Sequence, residues 1–264
     1  MGTPLPKPLP IVVLVPGAWH SPAHYALLIQ MVENAGYTVV TAALPSLNSH
    51  DPANQSVARD SAYIRVALLE PQIDAGKEVL LVMHSYGGCP GAAAAKGLSV
   101  VERKERGEEG GVVGMVFLAA FVAGEGDSLK GKLPGGVYDS WVVENTQTKQ
   151  LIVDNPQAVF YHDVEPELAQ KVILELKTQA EPSLSSPSPS PAWPDKGFDG
   201  RRAYIQALQD RAIPFVAQDA MVKYSGVGWE VRQLDTSHSP FLSKPEELGD
   251  VVLELFRMFG GLEV

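Results

Sequence analysis

A serine hydroxyl attacks a carbonyl only when a base removes its proton and an acid fixes that base. This chain carries all three residue types at the ends of strand-like runs. Ser85 closes the apolar, β-branched run 78–83 after His84, and Tyr86, Gly87 and Gly88 follow it. The small-residue segment 91–95 then reads as the start of a helix. Strand, tight turn with serine, helix is the layout of a nucleophile elbow, which presents Oγ at the top of a strand. His238 lies in Asp235-Thr236-Ser237-His238-Ser239-Pro240-Phe241, just past the run 229–234, and Asp210 lies just past the run 203–208. The chain order is therefore Ser, Asp, His, with acid and base on the loops after the last two strands. Negative charge developing on the carbonyl oxygen needs two N–H donors. The expected donors are Tyr86, after the nucleophile, and Ala18, in the loop after the first strand, where Gly17 permits a tight backbone.

The pattern departs from G-x-S-x-G at one place: Met83 stands where the first glycine would be. Its thioether chain is flexible enough to turn aside. Asp127, after the fourth strand, is the rival acid. Asp235 is placed to set the histidine loop, and Asp219 falls inside a helix. His20 and His24 have the i, i+4 spacing of a metal pair, but no glutamate lies between them and no third ligand suggests itself, so neither metal nor cofactor is expected. His84 adjoins the serine and shapes the elbow or the pocket. Cys89 reads as a small packed residue. Gly17, Trp19, His84, Phe121, Trp141 and Trp193, with Phe160 and Tyr161, are candidates for an apolar, ring-accommodating pocket. The same aromatics could equally form the interior of a lid.

Elements must hold these residues, and the hydropathy pattern supplies them. Strands are expected at 11–15, 38–42, 78–83, 112–119, 203–208 and 229–234. Helices are expected at 22–35, 57–73, 90–103, 214–223 and 245–258. Strand–helix alternation implies an α/β fold of six parallel strands flanked by helices. The rhythm stops at 122–200, which carries a turn-rich start, a helix at 165–177 and a Pro/Ser tract at 182–191 that reads as an extended linker. The expected division is a core of 1–121 and 201–264 with a helical cap, 122–200, inserted after the fourth strand. Long insertions in compact domains usually carry function, and this one leaves the sheet at the strand ends where such folds bind ligands.

The composition narrows the classes. The chain has 264 residues, 45% of them hydrophobic, and a net charge of −10, which argues against nucleic acid as a partner. A single cysteine excludes an intrachain disulfide and fits a reducing compartment. No run is long enough to span a membrane. The proline-rich start, residues 1–10, reads as an extended arm rather than a secretory leader, so a cytoplasmic location is expected.

Taken together, the segments 16–20, 84–88, 210–214 and 237–241 resemble the α/β-hydrolase superfamily. Within it the chain is similar to the small single-domain esterases related to plant methylesterases and hydroxynitrile lyases. The resemblance covers nearly the whole chain. It implies Ser85 as nucleophile, His238 as base, Asp210 as its orienter, and Ala18 and Tyr86 as oxyanion donors. Lyase members carry a lysine directly after the catalytic histidine and a threonine before the oxyanion turn residue. Here Ser239 and Gly17 stand there, which favours hydrolysis of a small-molecule ester or lactone. Two other readings keep the same scaffold: a lyase, cyclase or dehydratase acting on a secondary metabolite, and a non-catalytic receptor for a small ligand.

Overall fold

A computed structural model of the chain describes residues 8–261. Most of the expected N-terminal arm, residues 1–7, lies outside the described residues. Six strands form one parallel sheet: β1 (Ile11–Val15), β2 (Val39–Thr41), β3 (Glu78–His84), β4 (Gly111–Leu118), β8 (Arg202–Ala207) and β9 (Glu230–Leu234). Their spatial order is β2-β1-β3-β4-β8-β9. The central strands are buried along almost their whole length, as strands covered on both faces must be. The edge strand β9 alternates half-buried and exposed residues instead.

Helices cover the sheet: α1 (Ala26–Asn34), α2 (Val57–Tyr63), α3 (Glu70–Ile73), α4 (Gly88–Ala94), α5 (Val100–Glu105), α10 (Phe215–Lys223), α11 (Pro240–Ser243) and α12 (Pro245–Gly260). A π-helical stretch, Ile64–Leu69, joins α2 to α3, so the expected helix 57–73 is continuous but not uniformly α. The expected helix 90–103 is two helices. Gly97 takes φ +71° and ends the first, and the Ser99 hydroxyl caps the second by accepting the Glu102 N–H.

Between β4 and β8 the chain builds α6 (Leu129–Lys132), the strands β5 (Val142–Asn145), β6 (Gln150–Val153) and β7 (Gln179–Ala180), and the helices α7 (Pro156–Phe160), α8 (Pro166–Glu175) and α9 (Glu181–Ser185). The three strands form a separate antiparallel sheet, β5-β6-β7. The insertion is thus mixed rather than purely helical.

The Pro/Ser tract is not a linker. Pro182 sits in the first turn of α9, where a missing N–H costs nothing. Ser183 and Ser188 are buried, and the Ser186 hydroxyl accepts the Val57 N–H. Its serines supply hydrogen bonds that fix the tract to the body, and Ala192 N–H donates to Ala92 O just beyond it.

Candidate active site

The elbow forms as the spacing predicts, and its strain is visible. Ser85 adopts φ +53°, a left-handed conformation that a non-glycine residue keeps only when its surroundings dictate it. Close backbone approach supplies that constraint. A Cβ on Gly87 would lie 2.7 Å from both the Val15 and Pro16 carbonyl oxygens, so only glycine lets α4 start against β1. Met83 is accommodated from the neighbouring helix: a Cβ on Gly91 would lie 2.7 Å from the Met83 sulfur. The glycine missing from one side of the elbow is in effect present on the other.

The loops after β8 and β9 bring Asp210 and His238 together. His238 Nδ1 donates to Asp210 Oδ2 at 2.7 Å, with both side chains almost wholly excluded from solvent. A carboxylate can only accept, so Nδ1 carries a proton, and in the neutral ring the lone pair is on Nε2. Asp210 is itself held by the Ala212 and Ile213 N–H groups at 2.7 and 2.9 Å, and by Gln218 Nε2 at 3.1 Å. Gln218, fully buried on α10, also bonds the backbone of Ala207 and Ile213. Nothing in its sequence context marked it. Asp127 is engaged elsewhere, accepting the Gly124 N–H and pairing with Lys132 at 2.7 Å.

Ser85 and His238 face one cavity of about 50 Å³. The pocket candidates Trp19, Phe121, Trp141 and Phe160 line it with Ala18 and Tyr86, and Tyr138, Leu129, Leu133 and Ile213 join them. The rings of Trp19, Trp141 and Phe160 lie 5.6–5.9 Å apart, centre to centre, as one aromatic wall.

Four expected pocket residues lie outside this lining, Tyr161 among them with its hydroxyl on His20 Nε2. Trp193 packs on Trp229 and donates its indole N–H to Ala123 O at 2.8 Å. Gly17 lies behind the serine, where a Cβ would meet His84 Nδ1 at 2.8 Å. His84 points beneath the site. Its Nε2–H donates to the His238 carbonyl at 3.0 Å, its Nδ1 accepts the Tyr25 hydroxyl at 2.7 Å, and that hydroxyl accepts the Gly17 N–H at 2.9 Å. Burial, and then the neighbouring imidazoles His238 and His20, hold His84 well below the usual histidine range, which keeps it neutral for this pattern.

His20 and His24 are spent on hydrogen bonds. His20 Nδ1 donates to Ala18 O at 2.7 Å and its Nε2 accepts the Tyr161 hydroxyl at 2.8 Å. His24 Nε2 donates to Val172 O at 3.1 Å. Burial of the Cys89 thiol raises its pKa, as befits a packed residue. The insertion also grips the site's loops: Asp163 accepts the Ser237 N–H at 2.7 Å, Phe160 O accepts the Ser237 hydroxyl, and Ala158 O accepts Arg211 Nη1.

An α/β-hydrolase family model matches residues 12–251. An α/β hydrolase of Aspergillus novofumigatus, nvfD, is 30% identical over 255 residues, covering 96% of this chain and 97% of the relative. A putative chloroplastic methylesterase of Arabidopsis thaliana is 24% identical, covering 87% of this chain and 60% of the relative. The crystal structure of a pyrethroid hydrolase from Sphingobium faniae JZ-2 superposes with a TM-score of 0.70 at 20% identity, covering 94% of this chain and 97% of that one. The sheet, the strained elbow and these likenesses agree: the chain belongs to the α/β-hydrolase family, and it resembles plant methylesterases within it.

Proposed function

We propose that this chain hydrolyses a carboxylic ester or lactone of a small, largely apolar molecule through an acyl-enzyme on Ser85. The observation that carries the reading is the buried 2.7 Å bond from His238 to Asp210 at a cavity that Ser85 also faces. His238 Nε2 takes the Ser85 proton as Oγ bonds to the substrate carbonyl carbon. The Ala18 and Tyr86 N–H groups receive the oxyanion. The intermediate collapses, the alkoxide leaves with the proton from His238, and water then reverses the sequence to release the acid. Asp210 holds the imidazole in the Nδ1–H tautomer throughout. Trp19, Trp141, Phe160 and Phe121 bind the apolar body, and residues 122–200 act as the cap over it. No helix among the described residues is long and apolar enough to cross a membrane.

Pre-steady-state turnover of p-nitrophenyl butyrate tests the reading. A burst of nitrophenol equal to the enzyme concentration is expected, absent in Ser85→Ala. A lyase or a receptor on this scaffold gives no stoichiometric burst, and that result would overturn the proposal.

A further inference from the structure

Asp60, on α2, is fully buried, and the cycle above makes no use of it. A carboxylate buried in an apolar interior is costly unless donors surround it. Here Oδ1 accepts the Ser46 N–H at 3.1 Å, and Oδ2 accepts the Ser46 hydroxyl and the Tyr86 hydroxyl, the latter at 2.6 Å. Burial pushes the Asp60 pKa up to about 6 while the bonds from Ser46 and Tyr86 pull against it, so the group is anionic at neutral pH.

From Asp60 two arms run to the two sides of the nucleophile. One is direct: Tyr86, whose backbone N–H is a proposed oxyanion donor, is tethered through its own ring. The other passes through Ser46 to Gln179, whose Nε2 donates to Ser46 Oγ at 2.8 Å and to Ser183 Oγ at 2.7 Å. Gln179 Oε1 accepts the Trp19 N–H at 3.3 Å. Trp19 follows Ala18, the other proposed donor, and its φ of +63° is a left-handed conformation that its environment must enforce. The Lys177 N–H on Trp19 O and the Trp19 indole N–H on Leu151 O complete that enforcement from the insertion.

We propose that Asp60 is a positioning residue for the oxyanion hole: one buried carboxylate anchors Tyr86 directly and the Ala18–Trp19 loop through Ser46 and Gln179, fixing the two donors relative to each other. The inference rests on the acyl-enzyme reading above. Its signature is kinetic. Donors that drift from the oxyanion weaken the transition state and leave ground-state binding in the aromatic cavity intact.

Asp60→Asn is close to isosteric but replaces one acceptor oxygen with a donor: at the Oδ1 position it opposes the Ser46 N–H, and at the Oδ2 position it opposes both the Ser46 and the Tyr86 hydroxyls, so the Ser46 anchor is disturbed in either orientation. On an activated ester, kcat is expected to fall by about tenfold or more with KM within about twofold. Tyr86→Phe and Gln179→Leu each cut one arm and should lower kcat by less, again at constant KM. Asp60→Asn combined with Tyr86→Phe should lose less than the product of the two single losses, because both act through one bond. Should Asp60→Asn fail to fold, the two arm variants still decide the matter. Wild-type kcat in every folded variant, or a rise in KM at constant kcat, would overturn the inference while a wild-type acylation burst leaves the parent reading standing. Absence of that burst in the wild type would overturn both.

Discussion

The six-stranded sheet and the insertion between β4 and β8 meet at the cavity, yet they are held by different chemistry. The sheet rests on apolar burial: β1, β3 and β4 hide nearly every side chain, with Val, Leu and Ile dominating. The insertion alternates half-buried and exposed residues along β5 and is secured to the body by polar bonds in buried surroundings. Gln179, Asp163 and the Trp19 indole N–H make those bonds. Apolar packing tolerates small shifts, whereas hydrogen bonds fix direction and distance. The sheet therefore brings the reacting residues to one rim, and the insertion sets the angles of the loops that carry them.

Substitutions on the two sides of this boundary should differ in size. The largest loss belongs to the sheet-borne residues: Ser85→Ala or His238→Ala should lower kcat on order of 10⁴-fold or more in a p-nitrophenyl ester assay. Asp210→Asn should approach that loss through the wrong tautomer, with the fold intact by circular dichroism. Activity within tenfold of wild type in any of the three would break the distinction. A smaller effect is expected for Gly87→Ala, whose new methyl group meets the Val15 and Pro16 carbonyl oxygens and cannot be relieved by a rotamer change. It should destabilise the protein by about 1–3 kcal/mol in urea titration and slow acylation. On the insertion side, Trp19→Phe removes one indole bond and leaves Leu151 O without it, for about 1 kcal/mol.

The seam also sets a pH response. Burial holds His20, His24 and His84 below the ordinary value of 6.5, so the unfolded chain binds protons that the native one refuses. Stability from these groups is present above pH 6.5 and is lost as pH falls below it, at about 1.4 kcal/mol per unit for each group while its native form stays neutral. Asp60 opposes them: its pKa of about 6 exceeds the ordinary 3.8, so it favours folding as pH drops from about 6 towards 4. Three imidazoles outweigh one carboxylate between pH 6.5 and 5. The urea midpoint should therefore fall over that interval, and His20→Gln should flatten the slope. A midpoint that rises over the same interval would contradict the assignment.

What the chain disclosed in advance follows the same division. The sheet strands, and the places of Ser85, Asp210 and His238 at strand ends, were legible because long apolar runs ending in chemically distinctive residues are local signals. The compensation of Met83 by Gly91 was not, because each residue looks ordinary until α4 is laid against β3. The insertion was largely opaque. Its strands β5 and β6 are four residues each, too short for periodicity to declare, and its Pro/Ser tract has a linker's composition but folds because partners outside it hold its serines, Val57 N–H donating to the Ser186 hydroxyl and Asp127 O accepting the Ser188 N–H. Asp60 and Gln218 are polar residues in helices and Gln179 sits in a two-residue strand, settings where solvent exposure is the ordinary expectation for such side chains. Only the fold shows that they face inward. Trp193 failed as a pocket residue for the converse reason: an aromatic beside a site in sequence packed on Trp229 instead.

Intact mass spectrometry after a fluorophosphonate probe tests most directly whether Ser85, His238 and Asp210 work as one unit. A single adduct is expected at neutral pH, mapped to Ser85 and formed at least a hundredfold more slowly in His238→Ala. An adduct elsewhere, none on the folded protein, or equal labelling with and without the imidazole would contradict it.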